Sequence, residues 1–161
     1  SFCRERIKFI PRAVIADHLR RAALCDIALD TPNYNHGATG ADTLYAGVPT
    51  IHMASNKMVG RMMTSMLKAL RVPELIVQDY NEYLQMILKL GDLKNGKLRR
   101  LRTKLLRYIV WTPLYDVRAW VNDFDQVARV LWDHHLAQHS GEDEDATPLS
   151  HIIPNRPRHT Y

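Results

Sequence analysis

Short apolar runs alternate with stretches of helical periodicity over residues 6–93. Arg6 to Ile10 reads as a short strand closed by Pro11, and the amphipathic stretch from about Ala16 to Leu24 predicts a helix. Asp26 to Asp30 is an apolar run bounded by acids, and the next such run is Pro49 to Met53, with a helix expected between them around Gly40 to Ala46. Asn56 to Leu70 has helical periodicity, Leu75 to Val77 is a brief strand, and Asp79 to Leu90 predicts a further helix capped by Gly91. Strand and helix in alternation predict an α/β fold with a parallel sheet covered on both faces, a doubly wound arrangement whose ligands bind beyond the carboxyl ends of the strands. About four strands are expected.

After Asn95 the period becomes wholly helical. Two long helices are expected, roughly Lys97 to Val110 and Val117 to Ala137, interrupted at Thr112 and Pro113, where the proline ring bars helix continuation. Trp120, Phe124, Val127 and Leu131 form an apolar side on the second, which should pack on a neighbouring surface. From Gln138 the chain turns acidic and then proline-rich and basic, the composition of a disordered tail. The expected domains are a partial donor-binding lobe over 1–93, C-terminal helices packed on it over 94–138, and the tail over 139–161.

Composition narrows the function. A chain of 161 residues with 46% hydrophobic and 24% charged residues suits one globular domain. Cys3 and Cys25 have neither Cys-x-x-Cys nor metal-ligand spacing, so neither a disulfide framework nor a metal site is expected, and a reducing compartment fits best. No apolar run approaches the roughly 20 residues of a membrane span. The start at Ser1, with no initiator Met and no signal-peptide core, suggests a piece of a longer protein. Of the net charge of +5, much comes from the basic residues between Lys94 and Arg107. Leucines 98, 101, 105 and 106 interleave with them at helical spacing, so this is read as the solvated face of a packed helix rather than a nucleic-acid surface.

The stretch that carries chemistry is Thr31 to Asp42, small, polar and punctuated by Gly37 and Gly40. Such a loop lets backbone amides approach a ligand, and the helix start after it presents unpaired N–H groups and a partial positive charge. A diphosphate is the natural guest. Thr39 is placed either to cap the helix or to donate its hydroxyl to a phosphate oxygen. Asp42, read as a first-turn residue, either complements the helix dipole or accepts hydrogen bonds from ribose hydroxyls. The loop is neither Gly-x-Gly-x-x-Gly nor a Walker motif.

Asp26 to Pro32, Asn35 to Asp42 and Thr43 to Pro49 resemble the donor-binding stretch of the O-GlcNAc transferases. The likeness begins near Ile7, runs through His18 to Arg21, and continues past Glu82, Tyr83, Lys89 and Leu90 to Thr112–Tyr115 and Leu131–Trp132. It implies a GT-B enzyme, preceded elsewhere by tetratricopeptide repeats, with this chain forming most of the Rossmann-like second lobe and the C-terminal helices. The implied reaction is inverting transfer of N-acetylglucosamine from UDP-GlcNAc to Ser or Thr hydroxyls of intracellular proteins, cytoplasmic or nuclear, without a metal or other cofactor. Carried over by position, the Ala13 backbone would meet the uracil, His18 would stack near the base with Arg21 close by, Asp42 would hold the ribose, and Gly37, Ala38 and Thr39 would surround the diphosphate. The family's phosphate-binding lysine and its first-lobe histidine and aspartate would precede Ser1, so no catalytic residue is assigned here, and the fragment alone is expected to be inactive.

Two departures stand out. Ile15 occupies the place of a lysine beside the base, and Gly37-Ala38-Thr39 replaces the usual His-Thr-Thr, with His36 one position earlier. Two other readings compete: a Spindly-type protein O-fucosyltransferase using GDP-fucose, whose threonine-rich loop ends in Cys-Glu rather than Gly40-Ala41-Asp42, and a non-catalytic nucleotide- or protein-binding module.

Overall fold

The computed structural model describes residues 6–140, without the side chains of residues 139 and 140. The chain divides into two compact units, Ser1–Tyr115 and Asp116–Tyr161. Cys3 and the rest of the expected tail, residues 141–161, lie outside the described residues.

In the first unit three strands, β1 (Ala28–Leu29), β2 (Thr50–Met53) and β3 (Ile76–Val77), form a parallel sheet in the order β1-β2-β3. Ala28 pairs with Thr50 and Leu29 with Ile51, and on the other side of β2, His52 pairs with Ile76 and Met53 with Val77. Between and around the strands run α1 (Ile15–Ala22), α2 (Ala38–Tyr45), α3 (Met62–Ala69), α4 (Tyr80–Gly91) and α5 (Lys97–Trp111). This is an α/β Rossmann-like lobe. The fourth strand expected at residues 6–10 does not form. Residues 7–10 are irregular and exposed, Phe9 at 96%, because no neighbouring strand among the described residues takes up their backbone groups.

One core joins sheet and helices. Leu44 of α2, Ile51 of β2, Met63 and Leu67 of α3, and Leu105 of α5 are fully buried and lie in the same cluster. Each such side chain contributes about 1.5–3 kcal/mol by leaving water. Leu98, Leu101 and Leu105 recur along α5 at intervals of three and four, so its apolar stripe belongs to this core while its basic face is outside. The compact unit therefore extends past residue 93 to Tyr115.

The helix ends reflect local chemistry. Asp79 caps α4 by accepting the Glu82 N–H at 2.8 Å, and Glu82 Oε2 accepts the Gln78 N–H at 2.8 Å. Gly91 is the last helical residue of α4 and makes no left-handed cap; that conformation falls on Gly96, which opens α5 with φ +64°. At the end of α5, Pro113 follows the extended Thr112, whose hydroxyl donates back to the Tyr108 carbonyl at 2.6 Å.

The second unit is described as α6 (Val117–Ser140), which runs two residues into the stretch expected to be tail. Asp116 starts it, accepting the Ala119 N–H at 2.9 Å. Trp120 stacks on Phe124 at 5.3 Å between ring centroids, and both are exposed in this chain.

Candidate nucleotide-sugar site

The Thr31–Gly37 segment leaves the carboxyl end of β1 and enters α2. Gly37 carries the turn with φ +53° and ψ −126°, a conformation that side-chain-bearing residues rarely adopt. α2 starts at Ala38, earlier than the sequence pattern suggests, because the turn is made at Gly37 rather than at Gly40. Gly40 instead sits inside the helix, where a Cβ would come within 2.3 Å of Met63 Cε and 3.1 Å of His36 Cβ. A side chain there would have to displace the end of Met63 and crowd His36.

This shift changes two roles. Thr39 is the second residue of α2 and caps nothing; the helix has no side-chain cap, and the Thr39 hydroxyl is exposed and makes no hydrogen bond among the described residues. Asp42 falls beyond the first turn, which contains no acid, so the helix dipole gives no account of it. The amides of Gly37, Ala38 and Thr39 have no partner among the described residues, as expected at a helix start.

α1 packs against α2 and brings His18 to Asp42, Nε2 to Oδ2, at 3.4 Å, each side chain 35% exposed. Arg21, on the same helix, donates to the Pro11 carbonyl at 3.1 Å and so ties the segment carrying Ala13 back onto α1. Ala13 is exposed, and Ile15 begins α1 with 62% of its surface open. Thus Ala13 lies just before α1, which carries His18 and Arg21, Gly37 to Asp42 come from the turn into α2 and from α2 itself, and the His18–Asp42 contact joins the two. Arg102 of α5 fixes α1 from behind, donating to the carbonyls of Cys25 at 2.6 Å and Ala23 at 3.3 Å.

Several residues that hold this rim escape the sequence pattern. Asp30, just after β1, is buried and accepts the His36 N–H at 2.8 Å, while its other oxygen lies 2.8 Å from His52 Nδ1. The His36 ring sits 3.3 Å from Asp30 through Nδ1, a close approach without hydrogen-bond geometry, so His36 is drawn toward the carboxylate at the base of the loop. Asn35, fully buried, accepts the Met63 N–H at 3.2 Å and so satisfies an orphan amide at the start of α3. Tyr115 donates to the Ala41 carbonyl at 2.7 Å and meets Tyr45 edge-on. Burial, then the negative charge of Asp42, then Tyr45 push the Tyr115 phenol well above its usual range. Burial, then the charge of Asp30, also raise the Tyr83 phenol above its usual value. The available signal was polarity out of place: His52 interrupts the apolar run Pro49 to Met53, and Asp30 closes the run before it.

Comparison with known proteins places the chain in a family. The profile of glycosyl transferase family 41 matches residues 1–124. This chain belongs to that family. A Caenorhabditis elegans UDP-N-acetylglucosamine–peptide N-acetylglucosaminyltransferase is 32% identical over 151 residues, 94% of this chain and 12% of that protein. The Arabidopsis thaliana SEC protein, named as a probable enzyme of the same activity, is 33% identical over 134 residues, 83% of this chain and 14% of its own length. A solved Thermobaculum terrenum O-GlcNAc transferase mutant superposes with a TM-score of 0.68 at 31% identity, covering 78% of this chain and 24% of that one. Petunia hybrida SPINDLY is more distant, 26% identical over 129 residues. The family 41 chain thus spans about an eighth of the length of the first two relatives. No helix among its described residues is long and apolar enough to cross a membrane.

Proposed function

We propose that this family 41 chain supplies part of the UDP-GlcNAc site of an enzyme that transfers N-acetylglucosamine to Ser or Thr hydroxyls of intracellular proteins, cytoplasmic or nuclear. The unpaired amides of Gly37, Ala38 and Thr39 take the diphosphate, where a helix start offsets negative charge, and the free Thr39 hydroxyl adds a donor. Asp42 accepts the ribose hydroxyls, and the Ala13 backbone, His18 and Arg21 receive the uracil. Groups from a first lobe, together with those of this one, align the hydroxyl of the protein acceptor with the leaving phosphate, so this chain alone is inactive.

The observation that carries the reading is the His18–Asp42 approach of 3.4 Å. It brings the base-side and ribose-side segments together next to the unpaired amides, the order in which a nucleoside diphosphate would meet them. The chain's higher identity to the Caenorhabditis elegans and Arabidopsis thaliana SEC proteins than to SPINDLY disfavours the Spindly-type alternative.

Asp42→Ala tests the assignment in the protein carrying both lobes. Losing a charged hydrogen-bond acceptor weakens UDP binding by up to about 3 kcal/mol. The fold loses only the partly exposed contact with His18, about 0–1 kcal/mol. Calorimetric UDP affinity and the thermal midpoint of the same variant separate these effects, and unchanged affinity removes Asp42 from the site.

A further inference from the structure

His52 is the third residue of β2, and its side chain is completely buried. An aliphatic residue there would need no partner, whereas an imidazole needs one for each ring nitrogen. Both partners are present. Nδ1 lies 2.8 Å from Asp30 Oδ2, and Nε2 lies 2.7 Å from Thr64 Oγ1 on α3. Asp30 is as deeply buried, and its backbone carbonyl also accepts the Tyr83 hydroxyl of α4 at 2.9 Å. Asp30, just after β1, is thus joined to β2 through His52 and to α4 through Tyr83, and His52 carries the link on to Thr64 of α3.

Stability alone gives a poor account of such a pair, because well-packed apolar replacements of buried ion pairs are often as stable or more so. What a buried pair provides is a fixed geometry. Here the remaining oxygen of Asp30 holds the His36 N–H at 2.8 Å, immediately before the Gly37 turn. With His52 in place the carboxylate has one orientation; without it, Oδ2 is left buried and unpaired, and the carboxylate is free to rotate or draw in water.

We infer that His52 is a positioning residue for the diphosphate-binding turn, acting through Asp30 to hold the His36 amide and hence the direction in which the Gly37, Ala38 and Thr39 amides face. The inference rests on the donor-site reading above. His52 touches no ligand; it sets the angle of the groups that do.

Two polar substitutions separate positioning from mere filling of space. In His52→Asn the side-chain nitrogen falls near the Nδ1 position and serves Asp30 but not Thr64. In His52→Gln it falls near Nε2 and serves Thr64 but not Asp30. Hydrogen exchange on the 161-residue chain reads the turn directly, and calorimetry with UDP on the protein carrying both lobes reads its consequence. The expected result is at least about tenfold faster exchange of the His36 amide, relative to the amides of α3, in His52→Gln and much less in His52→Asn. UDP affinity falls by about tenfold or more in His52→Gln and stays within about threefold in His52→Asn. Equal exchange at His36 in the two variants, or faster exchange in His52→Asn, overturns the positioning role whatever the UDP result. The expected exchange with unchanged UDP affinity overturns the link from turn to ligand. Wild-type protein that does not bind UDP overturns the donor-site reading itself, and the exchange result then stands as a property of the fold alone.

Discussion

Tyr115 shows how one residue ties sequence-distant parts of the site together. Its hydroxyl holds the Ala41 carbonyl at 2.7 Å, next to Asp42, although the two lie 74 residues apart in the chain. Because burial raises its pKa, the folded protein keeps the phenolic proton at a pH where the unfolded chain, with an ordinary value of about 10, has lost it. The unfolded state then binds fewer protons than the folded one, so stability is fully present below about pH 10 and declines as the pH rises further. Denaturant midpoints measured between pH 8 and pH 11, at about the limits where backbone chemistry is still benign, should fall steeply at the alkaline end for the wild type. Tyr115→Phe should lie lower at neutral pH, having lost its hydrogen bond, but decline less steeply. Tyr83, shifted in the same direction, keeps the slope from vanishing. An alkaline limb identical in Tyr115→Phe and wild type would contradict this account. None of this was legible in the sequence, since a tyrosine after a Thr-Pro break carries no sign of the carbonyl it will meet. Gly37, Thr39 and Asp42 were legible as a phosphate-loop composition, but the sequence could not decide which glycine made the turn. In the structure Gly37 takes the positive φ, and Gly40 lies inside α2 next to Met63 of another helix.

Between elements, the loop after β1 is fastened to the start of α3 by Asn35. Its amide nitrogen donates to the Thr31 carbonyl at 3.2 Å, and its oxygen accepts the Met63 amide. The loop after β2 closes against the same region: a Cβ on Gly60 would come within 3.0 Å of the Pro32 carbonyl. Asn35→Ala leaves the buried Met63 N–H unsatisfied and should cost about 1–3 kcal/mol. Urea unfolding with an unchanged slope and a lowered midpoint would show it, whereas an unshifted midpoint would mean that another acceptor takes over. Most of the elements themselves could be read from periodicity, because β2 and the helices α3, α4 and α5 carry their burial pattern in their own residues. The strand expected at residues 6–10 failed for the opposite reason. A strand exists by pairing, and its apolar residues could not report that no partner was within reach among the described residues.

At the scale of the molecule, the buried hydrophobic residues among those described lie before Asp116, from Leu44 to Leu105. A chain ending at Tyr115 should therefore still unfold cooperatively, with sharp thermal and urea transitions; loss of cooperativity would show that the first unit depends on residues 116–161 for its stability. On the expected apolar side of α6, Trp120, Phe124 and Leu131 are exposed in this chain and Val127 is half-buried. Family membership rests on the match over residues 1–124, and the donor-site assignment rests on how α1 and α2 bring their residues together. The most direct test is calorimetric titration of UDP and of GDP into the protein carrying both lobes. Saturable binding of UDP, with GDP at least about tenfold weaker, is the predicted result. Preferential binding of GDP, or binding of neither nucleotide, would contradict the account.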